Sequence, residues 1–247
     1  MAIHRHLEHA PITEALIDCR IKAPTGFKVD AFQALKAKIG NDYPRVEEQR
    51  GFEAEVRFEG GQLSQSSKQR GMVGLIFRSK SGENVAQFRI DGFSFSRLRP
   101  YTSWEQIFRE AFRLWKMYRD LVVPDFITRI AVRYINRLRI PLPLGDFSEY
   151  LCSPPVVPPE LPRQVATFLT RIVIPASDFS ADATITQALE RPVDLNFVTI
   201  ILDIDVYRRK QFEVDDEKMR SEFEELRQLK NRIFFSSITE ETARLFE

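Results

Sequence analysis

The stretch from Arg129 to Ile140, RIAVRYINRLRI, constrains the fold more than any other part of the chain. In an extended strand successive side chains point to opposite faces. On that spacing Ile130, Val132, Tyr134, Leu138 and Ile140 share one face. Arg129, Arg133, Arg137 and Arg139 share the other, with Ala131 and Ile135 between them. The segment reads as a strand with a packed side and a guanidinium ladder, and such a ladder has to meet carboxylates, an anionic ligand or water.

Two further segments supply acids on the same spacing. In LDIDVY, Asp203 and Asp205 oppose Leu202, Ile204 and Val206; in GFEAEVRF, Glu53, Glu55 and Arg57 oppose Phe52, Ala54, Val56 and Phe58. One outcome is cross-strand ion pairing with the arginines, each exposed pair contributing ~0.2–1 kcal/mol. The other is a concave site in which arginines grip phosphate while Glu53, Glu55, Asp203 and Asp205 hold a divalent metal. That second arrangement resembles a triphosphate-tunnel phosphohydrolase in outline, although Arg57 stands where such enzymes carry Lys.

Around these segments the chain alternates strands and helices. Strands are expected over Ile12 to Ile21, Gly51 to Glu59, Met72 to Phe77, Val85 to Ile90 and Phe93 to Leu98, with SKSGEN as a hairpin turn and a short helix at Val29 to Ile39. Ser103 and Gln106 sit in capping-box positions before a helix whose stripe is Trp104, Ile107, Phe108, Ala111, Trp115 and Tyr118. After the arginine strand, seven of the fourteen prolines fall between Pro141 and Pro162. Strands follow at about Gln164 to Ile174, Thr184 to Glu190 and Phe197 to Tyr207. A helix then runs from about Asp216 to Phe235 on a stripe of Met219, Phe223, Leu226, Ile233 and Phe234. Ser237 and Glu240 form the capping pattern of a last short helix; core packing is the default role of the preceding helix, with a partner surface at the doublet Phe234 and Phe235 as the alternative.

The order strand, helix, several strands, helix occurs before and after the centre, which predicts an α+β fold on antiparallel sheet with long helices packed on one face. The expected form is a duplicated unit of the TATA-binding-protein type; a helix-grip fold is the alternative. Residues 1–140 make the first helix-on-sheet unit, 141–162 a proline-rich linker or crossover, and 163–247 a second unit sharing the same core.

The segments HAPITEALIDCRI, SRLRPYTSWEQIFREAFRLWKMY, ITRIAVRYINRLRIP, VTIILDIDVY and SITEETARLF, taken in order, resemble a sporadically distributed family of uncharacterised prokaryotic proteins of about this length. The resemblance runs from His9 to Phe246. It implies a full-length member of one family and supplies no reaction, cofactor or catalytic residue.

Composition narrows function further. With 36 basic and 35 acidic residues the net charge is +1, which argues against nucleic-acid binding by bulk attraction, so any basic site is local. The basic set contains 26 Arg and 10 Lys, which suits bidentate recognition of carboxylate or phosphate. Cys19 and Cys152 form neither a disulfide framework nor a metal motif. No signal peptide or membrane span is legible, so the expectation is a soluble cytoplasmic protein. His4, His6 and His9 are the only histidines, crowded into HRHLEH, which reads as a frayed terminus and makes triad hydrolysis or zinc chemistry improbable. No phosphate-binding P-loop or dinucleotide fingerprint occurs, and EGGQLSQSSKQRG reads as a mobile connection. In FSFSRLRPYTSW, Phe93, Phe95, Tyr101 and Trp104 with Arg97 and Arg99 offer a nucleic-acid platform or, alternatively, a staple of helix to sheet. The resulting expectation is a binding or interaction protein rather than an enzyme, without a cofactor. Its arginine face, Arg97, Arg99, Arg129, Arg133, Arg137 and Arg139, would meet an acidic protein or a phosphate-containing ligand. The metal-dependent phosphohydrolase and the nucleic-acid binder stand as alternatives.

Overall fold

The computed structural model describes residues 1–59, 62–162, 165–191 and 196–247, with the backbone alone for 52–59 and 62–70. The strands are β1 (Ile12–Lys22), β2 (Arg45–Glu59), β3 (Gln62–Arg78), β4 (Asn84–Arg89), β5 (Gly92–Leu98), β6 (Phe126–Pro141), β7 (Leu169–Ala176), β8 (Ala181–Leu189) and β9 (Phe197–Phe212). The helices are α1 (Ala34–Ile39), α2 (Trp104–Val122), α3 (Asp216–Ser237) and α4 (Glu240–Arg244). Together the strands build one antiparallel sheet in the order β2-β3-β4-β5-β1-β6-β9-β8-β7, which is the expected α+β class. β1 pairs with β5, β6 pairs with β9, and β1 and β6 pair with each other near the centre.

Register explains why the core lies on one side. Ala15, Ile17 and Cys19 of β1 stand opposite Tyr134, Val132 and Ile130 of β6, and these stand opposite Ile204, Val206 and Arg208 of β9. Ile17 and Cys19 also stand opposite Phe95 and Phe93 of β5. A single apolar surface therefore crosses the pleat, and a one-residue slip would turn every one of these side chains away from the helices. α2 packs on β4 and β5 while α3 packs on β6 and β9. The two helices meet where Phe108 sits edge-on to Phe223, ring centroids 5.7 Å apart.

Ser103 caps α2 by accepting a hydrogen bond from the Gln106 backbone N–H, as its spacing predicts. At the other end Val123 takes a left-handed conformation, φ 51°, with its side chain 69% exposed. A β-branched residue is strained there, and no packing compensates. Val123→Asn is expected to stabilise the protein by ~0.5–1 kcal/mol, read as a rise in denaturant midpoint at unchanged slope; an unchanged midpoint would contradict the strain.

Three local expectations change, and one alternative is set aside. From Gln62 the polar run is strand and not connection, because β3 begins there and pairs with β2 from Glu59 inward; a backbone ladder needs no apolar alternation. α4 is capped by Thr239, whose hydroxyl accepts from the Thr242 N–H, whereas Ser237 ends α3 and donates to the Ile233 carbonyl. Phe234 and Phe235 are both buried, as the core-packing default has it and not the alternative of a partner surface, since His4 packs edge-on against Phe235. The HRHLEH segment is likewise fixed rather than frayed: the Ala2 N–H bonds to the Phe235 and Ile238 carbonyls, and His9 N–H bonds to the Phe246 carbonyl.

The proline-rich segment leads from the central β6 to the edge strand β7. It contains a single helical turn at Phe147–Glu149, closed by a capping box of Asp146 and Glu149, and one bridge between Leu151 and Ile238. Among the described residues no helix is long and apolar enough to cross a membrane.

Candidate functional site

On the side of β6 away from the helices, the arginines meet acids one or two strands away. Arg133 stands opposite Asp205 but reaches along β9 to Asp203, donating two hydrogen bonds of 2.8 and 2.6 Å. Arg129 stands opposite Arg209 and reaches back to Asp205 at 3.0 Å and across to Asp18 of β1 at 3.0 Å. Asp18 also accepts from Arg89 at 3.1 Å and from Arg20 at 3.3 Å, with its side chain only 7% exposed. Burial pushes the Asp205 carboxyl up, against the downward pull of Arg129 and Arg133. Arg137 pairs with Glu190, and Arg97 with Glu83, Asn84 and the Pro100 carbonyl. Of the six expected anion-binding arginines, Arg97, Arg129, Arg133 and Arg137 thus direct their guanidinium groups to internal partners.

Of the four acids expected to hold a metal, only Asp203 and Asp205 have described side chains. Asp203 and Asp205 are committed to arginine, and β3, β4, β5, β1 and β6 stand between their strand and β2. The side chains of Glu53 and Glu55 lie outside the described residues. Among the described residues no group of three His, Cys, Asp or Glu could hold a metal ion. The aromatic platform for nucleic acid is also absent from the surface. Phe93 and Phe95 are 0% and 1% exposed, and Phe93 packs against Trp115 and Tyr118 of α2. Trp104 is buried and donates to Glu224 of α3 at 3.0 Å, so these rings staple helices to sheet.

A second group of basic residues lies around a cavity. The cavity, of about 640 Å³, opens where β6 ends beneath α3, closed by residues 4–12 and by the connection from β5 to α2. Tyr134 and Asn136 reach it from the helix-facing side of β6. Arg227, Lys230 and Asn231 reach it from α3, and Arg99 and Tyr101 from the connection. Its lining includes Arg5, Arg99, Arg137, Arg139, Arg227 and Lys230, with Glu8 the one acid among the described residues. Some of that charge is met nearby: Arg5 pairs with Glu240 and Glu247, and Arg227 with Glu224 at 3.0 Å. The Arg139 guanidinium lies over the Phe197 ring, 4.3 Å from its centroid. Arg99 is exposed and makes no ion pair among the described residues.

Lys230 is the unusual member. It is 8% exposed, and among the described residues it has no hydrogen bond and no ion pair. Its Nζ sits 3.9 Å from the centroid of the Tyr134 ring, whose quadrupole favours a cation there. Burial, with a smaller contribution from the neighbouring Arg227 charge, lowers its pKa to about 7. Burial raises the phenols of Tyr134 and Tyr101, so both rings stay neutral, their oxygens 3.4 Å apart. Asn136 is 1% exposed and donates from Nδ2 to the Leu202 carbonyl at 3.0 Å. This arrangement can hold an anion at its arginines and present an amine to whatever the anion carries.

Sequence reasoning missed Lys230, Arg227 and Asn136. Lys230 falls on the helical stripe, four residues after Leu226 and four before Phe234, and Asn136 falls on the apolar parity of β6. A polar residue on a buried parity was the available signal. No protein-family model matches the chain, and no curated protein matches it.

Proposed function

We propose that the protein binds a small organic anion, a carboxylate or phosphate joined to an apolar or aromatic body, in the cavity between β6, α3 and the N-terminal segment. The observation that carries this reading is Lys230, a buried amine that has no acidic partner among the described residues and lines a cavity rich in guanidinium groups. Buried polar groups are ordinarily satisfied, and a cation in apolar surroundings without an anion is costly. A bound anion would relieve that cost, and tyrosine and phenylalanine rings suit an apolar body. The volume lies within the usual range for small-molecule sites, roughly 300–1,000 Å³. Anion recognition, expected along the whole arginine face, is thereby confined to Arg99 and Arg139 at one end of it, joined by Arg227 and Lys230.

Membership in the family that the sequence segments resemble is part of this proposal and adds no activity to it. We also read the two halves as one duplicated unit, on the support that each half pairs its first strand with its last.

Thermal denaturation with phenyl phosphate, phenyllactate and neutral benzyl alcohol tests the reading. At a hundredfold excess over Kd a native-state ligand adds ~2.7 kcal/mol, or a shift of about 5–10 °C at this chain length. The two anions are expected to produce such a shift and benzyl alcohol none. Arg99→Gln with Arg139→Gln is expected to weaken binding about tenfold to a hundredfold, the value of a charge-assisted hydrogen bond. Shifts that are absent, or equal for anion and alcohol, would refute the site.

A further inference from the structure

The anion-binding reading leaves the chemistry of the amine unused, and the following step rests on that reading. Lys230 lies on the buried stripe of α3, with Tyr134 under its Nζ and Arg227 one turn earlier. Lys230, Arg99 and Arg139 line the same cavity. An amine is a useful nucleophile only as the free base, and apolar walls together with a neighbouring cation favour that form. Exposed lysines near neutral pH hold about one free base per thousand or fewer. Lys230, held at about 7, holds a large fraction.

We propose that Lys230 is a nucleophilic amine that forms an imine with an aldehyde or ketone bearing a carboxylate or phosphate group. The nitrogen lone pair attacks the carbonyl carbon, the C–N bond forms, and the carbonyl π electrons move to oxygen. The nitrogen proton passes to that oxygen to give the carbinolamine. Loss of water then breaks the C–O bond and leaves the C=N bond. The arginines hold the anionic end so that the carbonyl carbon lies at Nζ, which converts a bimolecular addition into a positioned one.

The test uses the full chain with phenylpyruvate and sodium cyanoborohydride, whose hydride reduces an imine to a stable secondary amine. Phenyllactate, with a hydroxyl in place of the carbonyl, is the control. The expected result is one adduct per chain, mapped by peptide mass spectrometry to Lys230 and formed at least about tenfold faster than at any of the other nine lysines. The adduct is expected to vanish in Lys230→Met and to slow in the Arg99→Gln, Arg139→Gln variant. Mapping in the unaltered protein needs no variant to fold. A thermal shift with both acids but no preference for Lys230 would overturn the imine and leave the anion site standing. Absence of both shift and adduct would overturn the two together. Equal labelling of Lys230 by propanal would overturn the anionic half of the substrate class.

Discussion

Asp18→Ala is expected to destabilise the protein by ~3–5 kcal/mol, lowering the melting temperature by roughly 10 °C or more. The carboxylate is 7% exposed and accepts from Arg20, Arg89 and Arg129; Arg89 is itself 9% exposed. Removing the acid leaves a buried guanidinium without its counter-charge, and that loss greatly exceeds the net worth of an exposed pair. Gly74 is part of the same arrangement, because a methyl group there would come within 2.3 Å of the Phe88 carbonyl oxygen and 3.1 Å of Arg89 Cγ. Replacing Asp18 and Arg89 together by apolar residues is expected to cost less than the two single changes summed, with a coupling of at least ~1 kcal/mol. Arg133→Leu, whose side chain is 43% exposed, is expected to cost ~1 kcal/mol or less. A loss below ~1 kcal/mol for Asp18→Ala would show that the three arginines find water instead.

Lys230→Met is expected to stabilise the protein most at low pH, with the gain shrinking as pH rises. In the unfolded chain the amine keeps its proton up to about 10.5, whereas in the native state it gives the proton up at about 7. Between those values the unfolded state binds one more proton, so the stability of the unaltered protein rises with pH by ~1.4 kcal/mol per unit. Below pH 7 both states are protonated and the cost of the buried ammonium is fully present. The gap between variant and parent should therefore narrow by ~2–3 kcal/mol from pH 7 to 9, followed by urea titration at each pH. The other titratable lining groups, His4, His6, Glu8, His9, Tyr101 and Tyr134, are common to both proteins and cancel in the difference. A gap independent of pH would mean that Lys230 carries the same charge in both states.

Local chemistry made much of the fold readable. The arginine strand, the hairpin at Ser79–Asn84, the Ser103 cap and the α3 stripe each rest on interactions within a few residues of one another. The site was less readable for two reasons. Ion pairing between β6 and β9 depends on register: Asp203 and Arg133 are seventy residues apart and meet only because Arg133 stands opposite Asp205. A lysine on a helical stripe, moreover, has the same sequence signature whether its amine escapes to solvent along its alkyl stem or is enclosed.

What the sequence determined by itself was the set of elements, the face each presents to the core and the excess of arginine over lysine, since side-chain parity and helix capping are local properties of the chain. The pairing of individual arginines with Asp18, Asp203, Asp205 and Glu190 came only with the packed fold, as did the contact of the N-terminal segment with Phe235 and its place in the wall of the cavity that Lys230 lines. Strand register and the packing of distant segments control both the distance between charges and their access to water, and those two quantities separate a structural ion pair from a binding site.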